Sequence, residues 1–185
     1  MNNTKSEIIR VALRMVSERG YEWLSFKKVA DEVGIAKSSI YHYFKKKEDL
    51  GIAVMEVIEE RIQKNKDEIL TYESEKEKLD AYLIRADKED TLYAEAMAQL
   101  AFNFNGLPPK LQEKFRKRSI KDYEFVLGIL KRGAEKKEFS IKKDLEEAAM
   151  GIILMSIGGY LYGRVFHDEN VDISKYITDS IINKN

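Results

Sequence analysis

Residues 25–50 read SFKKVADEVGIAKSSIYHYFKKKEDL, and the reading of this stretch decides the fold. Val29, Ala30 and Val33 recur at helical spacing, and Ser25 stands where an N-cap belongs, giving a helix over 26–33. Gly34 follows at once and supplies the positive φ that a sharp turn needs. Ile35 then turns inward. A further helix spans 37–44, with Ile40 and Phe44 four residues apart on its inner face. Helices that cross this closely need a small residue at the crossing, and Ala30, four residues before Gly34, supplies one. This is the layout of a helix-turn-helix, whose second helix lies in the major groove of duplex DNA. Charged residues cluster at the end of the stretch as Lys45, Lys46 and Lys47. Taken alone, that run reads equally well as an ordinary solvated face.

Outward from this stretch the chain reads as helix throughout. Residues 5–19 carry Ile9, Ala12, Leu13 and Val16 at helical spacing, with Thr4 or Ser6 as cap and Gly20 as terminator. Tyr21, Trp23 and Leu24 make a short apolar connector, and Trp23 is read as core packing between helices. A fourth helix begins at Lys47 and continues past Lys66. Further helices are expected over 76–86, 88–104, 109–136, 144–166 and 173–183. The clearest break is Gly106-Leu107-Pro108-Pro109. No alternating strand pattern and no internal repeat stand out, so the expected class is all-α. The expected division is a helix-turn-helix domain over 1–50 and a helical domain over 51–185.

Composition removes several classes of chemistry. The chain has 185 residues and no cysteine, which excludes a disulfide framework and a thiolate metal site. His42 and His167 lack a nearby ligand partner, so no metal or cofactor is expected. The adjacent carboxylates Glu59-Glu60 and Glu146-Glu147 point to different faces of their helices and read as solvated charge. An enzyme is therefore not expected. MNNTKSEIIR has no signal-peptide apolar region, and a cytoplasmic location is the expectation. Lys and Arg together number 32, as do Asp and Glu, so the formal net charge is zero. The first 50 residues hold ten basic and seven acidic side chains, which places a modest positive excess on the reader.

The segment 148–163, AAMGIILMSIGGYLYG, is uncharged for sixteen residues. A membrane span needs about 20, and Glu147 and Arg164 bracket the run, so a buried soluble helix is the better reading. A helix apolar all round must be covered on every side. One side can face its own domain and the other a second copy of the chain.

Ser38-Ser39-Ile40-Tyr41-His42-Tyr43-Phe44, followed by Lys47-Glu48-Asp49-Leu50, sharpens the reading. Here the chain resembles the TetR family of bacterial transcriptional regulators. That family has Thr or Ser before the first reader helix, Ile-Ala within it, Ala-Gly-Val-Ser at the turn, then Gly-Thr-Leu-Tyr-x-Tyr-Phe and Lys-Glu-x-Leu. The counterparts are Ser25, Val29-Ala30, Val33-Gly34-Ile35-Ala36 and the two runs just quoted. The motif match covers about residues 6–55. Two residues depart from the pattern. Ala36 replaces a capping Ser, and Ser38 replaces a Gly, which adds a hydroxyl toward the DNA.

With contact chemistry, the resemblance implies roles. Lys37, Ser38, Ser39 and His42 reach base edges or nearby phosphates. Tyr41 sets its ring against a thymine methyl or its hydroxyl on a phosphate. Tyr43 and Lys47 bind phosphate, aided by the positive end of the fourth helix, and Ser25 and Lys27 are phosphate candidates. Phe44 is core. The resemblance also implies a C-terminal domain that binds a small-molecule effector and forms a homodimer, with reading helices about 34–36 Å apart on a palindromic site. A repressor is expected, with an activator or a helical interaction module as the alternatives. Candidate effector residues are Tyr93, Met97, Phe102, Phe104, Tyr123, Phe125 and Met150, which would suit an apolar or aromatic compound. With Glu95 nearby, a lipophilic cation fits as well. Candidate dimer residues are Gly151, Met155, Gly159, Tyr162, Gly163, Tyr176 and Ile177. The expected partners are thus double-stranded DNA, a small molecule and a second copy, with no membrane.

Overall fold

The computed structural model of the chain describes residues 3–83, 88–142, 144–166, 175–176 and 180–183, with side chains described at these positions except 3, 88–90, 159–166 and 183. The described helices are α1 Asn3–Arg19, α2 Phe26–Val33, α3 Lys37–Tyr43, α4 Lys47–Leu70, α5 Glu75–Leu83, α6 Lys88–Phe102, α7 Pro109–Glu135 and α8 Leu145–Phe166. The protein is all-α, as its helical spacing predicts. One departure is a pair of two-residue strands, β1 Ser140–Ile141 and β2 Ile182–Asn183, which pair antiparallel with Ile141 opposite Ile182. The stretch 173–183, expected as one helix, therefore ends in extended backbone. Two residues are too short to show an alternating pattern, so no sequence signal marks this pairing.

Packing divides the chain into two compact units, Met1–Lys64 with Ala86–Arg118, and Asn65–Arg85 with Ser119–Asn185. Residues 1–50 hold the reader but not the whole of the first packed unit. The reason lies in α1. Its buried residues Ile8, Val11, Ala12 and Val16 need more apolar cover than α2 and α3 can give, and α6 packs along it with Ala96 and Leu100 buried. Leu107 and Leu111, at the Pro108-Pro109 break, join the same core. Gly51 on α4 belongs here too. A Cβ at this position would lie 2.6 Å from Cε2 of Tyr21 and 3.2 Å from a methyl of Leu111, so only glycine permits this approach.

The second unit has its own core of Ile69, Leu79, Tyr82, Val126, Ile129, Leu130, Phe139 and Ile152. Two buried charge clusters lie beside it. Lys66 sits 3.1 Å from Oδ1 of Asp122, donates to the Lys121 carbonyl and lies 4.8 Å from the Phe125 ring centre. Tyr82 donates to the other oxygen of Asp122. Glu75, 1% exposed, meets Lys78 at 2.8 Å and both Arg132 and Lys136 at 3.1 Å.

The apolar helix α8 presents two opposed faces. Ala148, Ala149 and Ile152 are buried, whereas Met150, Leu154 and Ile157 are exposed at 46%, 61% and 52%. These three are spaced i, i+4 and i+7, which sets them in one row. Among the described residues, no helix is long and apolar enough to cross a membrane.

Candidate nucleic-acid interface

The α2–turn–α3 unit is built as its sequence requires. The Ser25 hydroxyl accepts from the Lys28 N–H at 3.3 Å and caps α2. Gly34 ends that helix at φ 76°, and the N–H groups of Gly34 and Ile35 both donate to the Ala30 carbonyl at 3.0 Å. Val29, Ala30, Ile40 and Phe44 are buried, with Val33 and Ile35 packed against them. This inner set fixes how the two helices cross.

The opposite face of α3 is open. Lys37, Ser38, Tyr41 and His42 are exposed and Ser39 is half-buried. Tyr41 is not loose, because its ring meets Phe26 edge-on at 5.0 Å and 79°. That contact fixes the direction of the one large aromatic on the reading face. Tyr43 is half-buried and packs against the core. Helix α3 follows Ala36, which gives it no side-chain cap where the family has a Ser.

The three lysines that close the motif do separate jobs. Lys45 donates to the Tyr41 carbonyl at 3.1 Å, closing the C-terminal end of α3. The Lys46 N–H donates to Asp49 at 2.9 Å, so a carboxylate of α4 already occupies that helix's own start. Lys47 donates to the Glu22 carbonyl at 3.0 Å and lies 4.5 Å from the Tyr21 ring centre. Burial holds its ammonium below the usual lysine range, with Lys28 adding to the effect and Glu22 opposing it. Burial, with Glu48 and Asp49 nearby, pushes the Tyr21 phenol up to about 12. Lys47 therefore pins the start of α4 to the 21–23 turn, while Lys27 is exposed and Ser25 half-buried.

Trp23 corrects an expectation. It is not core but 45% exposed. The residues Tyr21–Trp23 form a single 3₁₀ turn, in which positions three apart share a side. Tyr21 and Leu24 take the inner side, at 5% and 1% exposure, and Trp23 is left outside with Arg19 and Lys28 against its ring. These two cations were not among the sequence candidates, though Lys28 lies one residue from Lys27.

The effector candidates fall in both units. Tyr93, Met97 and Phe104 pack against the first core. Tyr123 and Phe125 pack against the second. Phe102 and Met150 are exposed, at 70% and 46%. Of the dimer candidates, Gly151 and Met155 are half-buried, with Gly151 close to Ile181. Tyr176 is exposed. The side chains of Gly159, Tyr162 and Gly163, and the whole of Ile177, lie outside the described residues. The exposed row on α8 is Met150, Leu154 and Ile157, of which only Met150 was a sequence candidate, for the pocket. Among the described residues, no group of three His, Asp or Glu side chains could hold a metal.

Residues 8–54, which contain this whole arrangement, match the family described as bacterial regulatory proteins, tetR family. Over these residues the chain matches the TetR family. The fatty acid metabolism regulator protein of Bacillus subtilis is 35% identical over 74 residues, which cover 40% of this chain and 38% of that protein. The chain thus matches well under half the length of this curated relative. A TetR transcriptional regulator from Legionella pneumophila is 28% identical, with 98% of each chain covered and a TM-score of 0.79. A TetR-family regulator from Agrobacterium tumefaciens, 19% identical, superposes over 97% of this chain and 98% of its own with a TM-score of 0.85, a likeness of fold. The family match ends within α4, and the fold likeness runs through both units.

Proposed function

We propose that the chain is a ligand-responsive transcriptional regulator that binds a palindromic operator as a homodimer, acts as a repressor and is released by a small, mainly apolar effector. The observation that carries this is the division within residues 25–50. An inner set of apolar side chains locks two helices in a crossing, and an outer set of short polar and aromatic side chains is left to solvent on the second helix. Such a face reads base edges through hydrogen bonds while flanking cations hold the phosphates. The exposed apolar row of Met150, Leu154 and Ile157 supports a dimer, since an apolar row in water is the surface a second copy would cover. The half-buried aromatics Tyr123 and Phe125 in the second unit favour an apolar effector. Release requires that the effector bind the DNA-incompetent arrangement more tightly than the competent one.

The test is enrichment of bound duplexes from a random pool and from DNA flanking the protein's own gene, followed by titration at several salt concentrations. Counterion release makes affinity fall steeply as salt rises. An absence of salt-sensitive binding to any enriched duplex would overturn the reading. Ser39→Ala and His42→Ala shift the preference at particular base positions, because their side chains face outward from α3. Native mass spectrometry of protein purified from its own host identifies the effector as a co-purifying small molecule.

A further inference from the structure

The chain has a single tryptophan, and it stands in water at the surface of the first unit. Two cations from different helices lie on its indole. The Arg19 guanidinium, at the end of α1, is 5.0 Å from the ring centre. The Lys28 ammonium, on α2, is 3.0 Å from the ring centre and donates to the Trp23 carbonyl at 3.3 Å. Lys47, at the start of α4, donates to the next carbonyl back, that of Glu22. Three helices therefore deliver three cations to one three-residue turn. Among the described residues neither Arg19 nor Lys28 is paired with a carboxylate. The turn leads directly into Ser25, the cap of α2, whose hydroxyl proton is still free to donate.

We propose that Trp23, Arg19 and Lys28 form a clamp on the DNA backbone, outside the bases read by α3. The indole packs on a deoxyribose and the two cations take the phosphates on either side. The proposal rests on the DNA-binding reading above and adds a surface to it. Charge complementarity selects the partner, because unpaired cations beside an exposed aromatic ring suit a phosphodiester chain with apolar sugar faces. Contacts of this kind position the protein and carry no sequence information. They are thus distinct in effect from those of Ser39 and His42.

The lone tryptophan makes the test direct. Intrinsic emission of the unaltered protein is followed during titration with an enriched duplex, beside the anisotropy of the same duplex carrying a dye. The expected result is an emission change that saturates together with the anisotropy and disappears as salt rises. Arg19→Gln/Lys28→Gln should lower the log–log salt slope by about 1.8, since each phosphate contact contributes about 0.9. Lys28→Gln alone should lower it by about 0.9, with far-UV circular dichroism confirming the fold of each variant. Binding by anisotropy with unchanged emission overturns the clamp and leaves the DNA reading intact. An emission change with an unaltered slope overturns it too, because an indirect rearrangement would move emission alone. Emission that follows protein concentration and ignores DNA assigns the patch to self-association, again overturning the clamp. Failure of every enriched duplex to bind removes the DNA reading and the clamp together.

Discussion

Glu75→Gln tests whether one buried carboxylate holds α5 to the end of α7. The change keeps the side chain's shape and removes its charge. Three cations lose this carboxylate, but unequally, and Lys136 keeps Glu138 at 3.9 Å. The Lys78 side chain is 11% exposed, whereas those of Arg132 and Lys136 are 44% and 49% exposed and can rehydrate. Exposed pairs contribute about 0–1 kcal/mol, whereas breaking a buried pair costs about 3–5 kcal/mol because an uncompensated charge stays inside. Lys78 therefore dominates, and the loss should be about 3 kcal/mol, near the low end of that range. For a chain of this size the fall in Tm is roughly 6–12 °C.

The pH dependence supplies a second readout. Burial alone would raise the Glu75 carboxyl, but hydrogen bonds from Lys78, Lys136 and Arg132 outweigh it and hold the group below the usual carboxylate range. A folded-state value below the unfolded one stabilises the fold above the unfolded pKa, about 4.3 for Glu. That contribution disappears as pH falls through the folded value. Thermal melts across the acid range should show this loss in the parent and a flatter profile in the variant. Adding Lys78→Met to Glu75→Gln should restore most of the stability, since an apolar pair leaves no orphaned charge. A single-variant loss under about 1 kcal/mol, or a double variant no better than the single, would refute the reasoning.

Gly51→Ala should destabilise by about 1–2 kcal/mol, because overpacking against Tyr21 and Leu111 exceeds the helix propensity gained. Denaturant melts check the sign, and the same variant should weaken DNA binding by moving Tyr21 off Lys47. At Gly34 only the backbone angle is constraining, with nothing within 4 Å of a built Cβ. Gly34→Ala should therefore cost about 1–2 kcal/mol and Gly34→Asn less, as calorimetry would show; equal or greater loss for Asn would mean that space matters. Leu154→Glu should shift sedimentation toward monomer if the exposed row on α8 is the dimer surface, while the Tm of each unit's core changes little.

The reader was legible in the sequence because each inner residue had one reason to be there. Ala30 had to be small, Gly34 had to take a left-handed angle, and Ile40 and Phe44 had to share a face. Those are local demands. Trp23 was misread because residue type alone suggested a core position, whereas the three-residue period of a 3₁₀ turn, set by Tyr21 and Leu24, sends it outward. The exposed row on α8 escapes the sequence for a related reason. When every residue in a run is apolar, periodicity cannot say which side is covered, and only the fold shows Leu154 exposed and Gly151 half-buried. The Glu75 cluster was invisible because two of its partners lie 57 and 61 residues away. The partners of Lys47, the Glu22 carbonyl and the Tyr21 ring, were equally out of reach, since they come from a turn about 25 residues earlier.

Helix α3 is only seven residues long and begins without a side-chain cap. A helix this short has almost no stability of its own, so its shape is borrowed from Ile40 and the adjoining Phe44. The exposed positions Lys37, Ser38 and His42 owe the fold correspondingly little, and substitutions at such surface sites usually fall within about 0.5 kcal/mol. Lineages can therefore exchange these letters one at a time without crossing an unfolded intermediate. The alphabet of the reader is free to drift, while the grammar that presents it stays fixed.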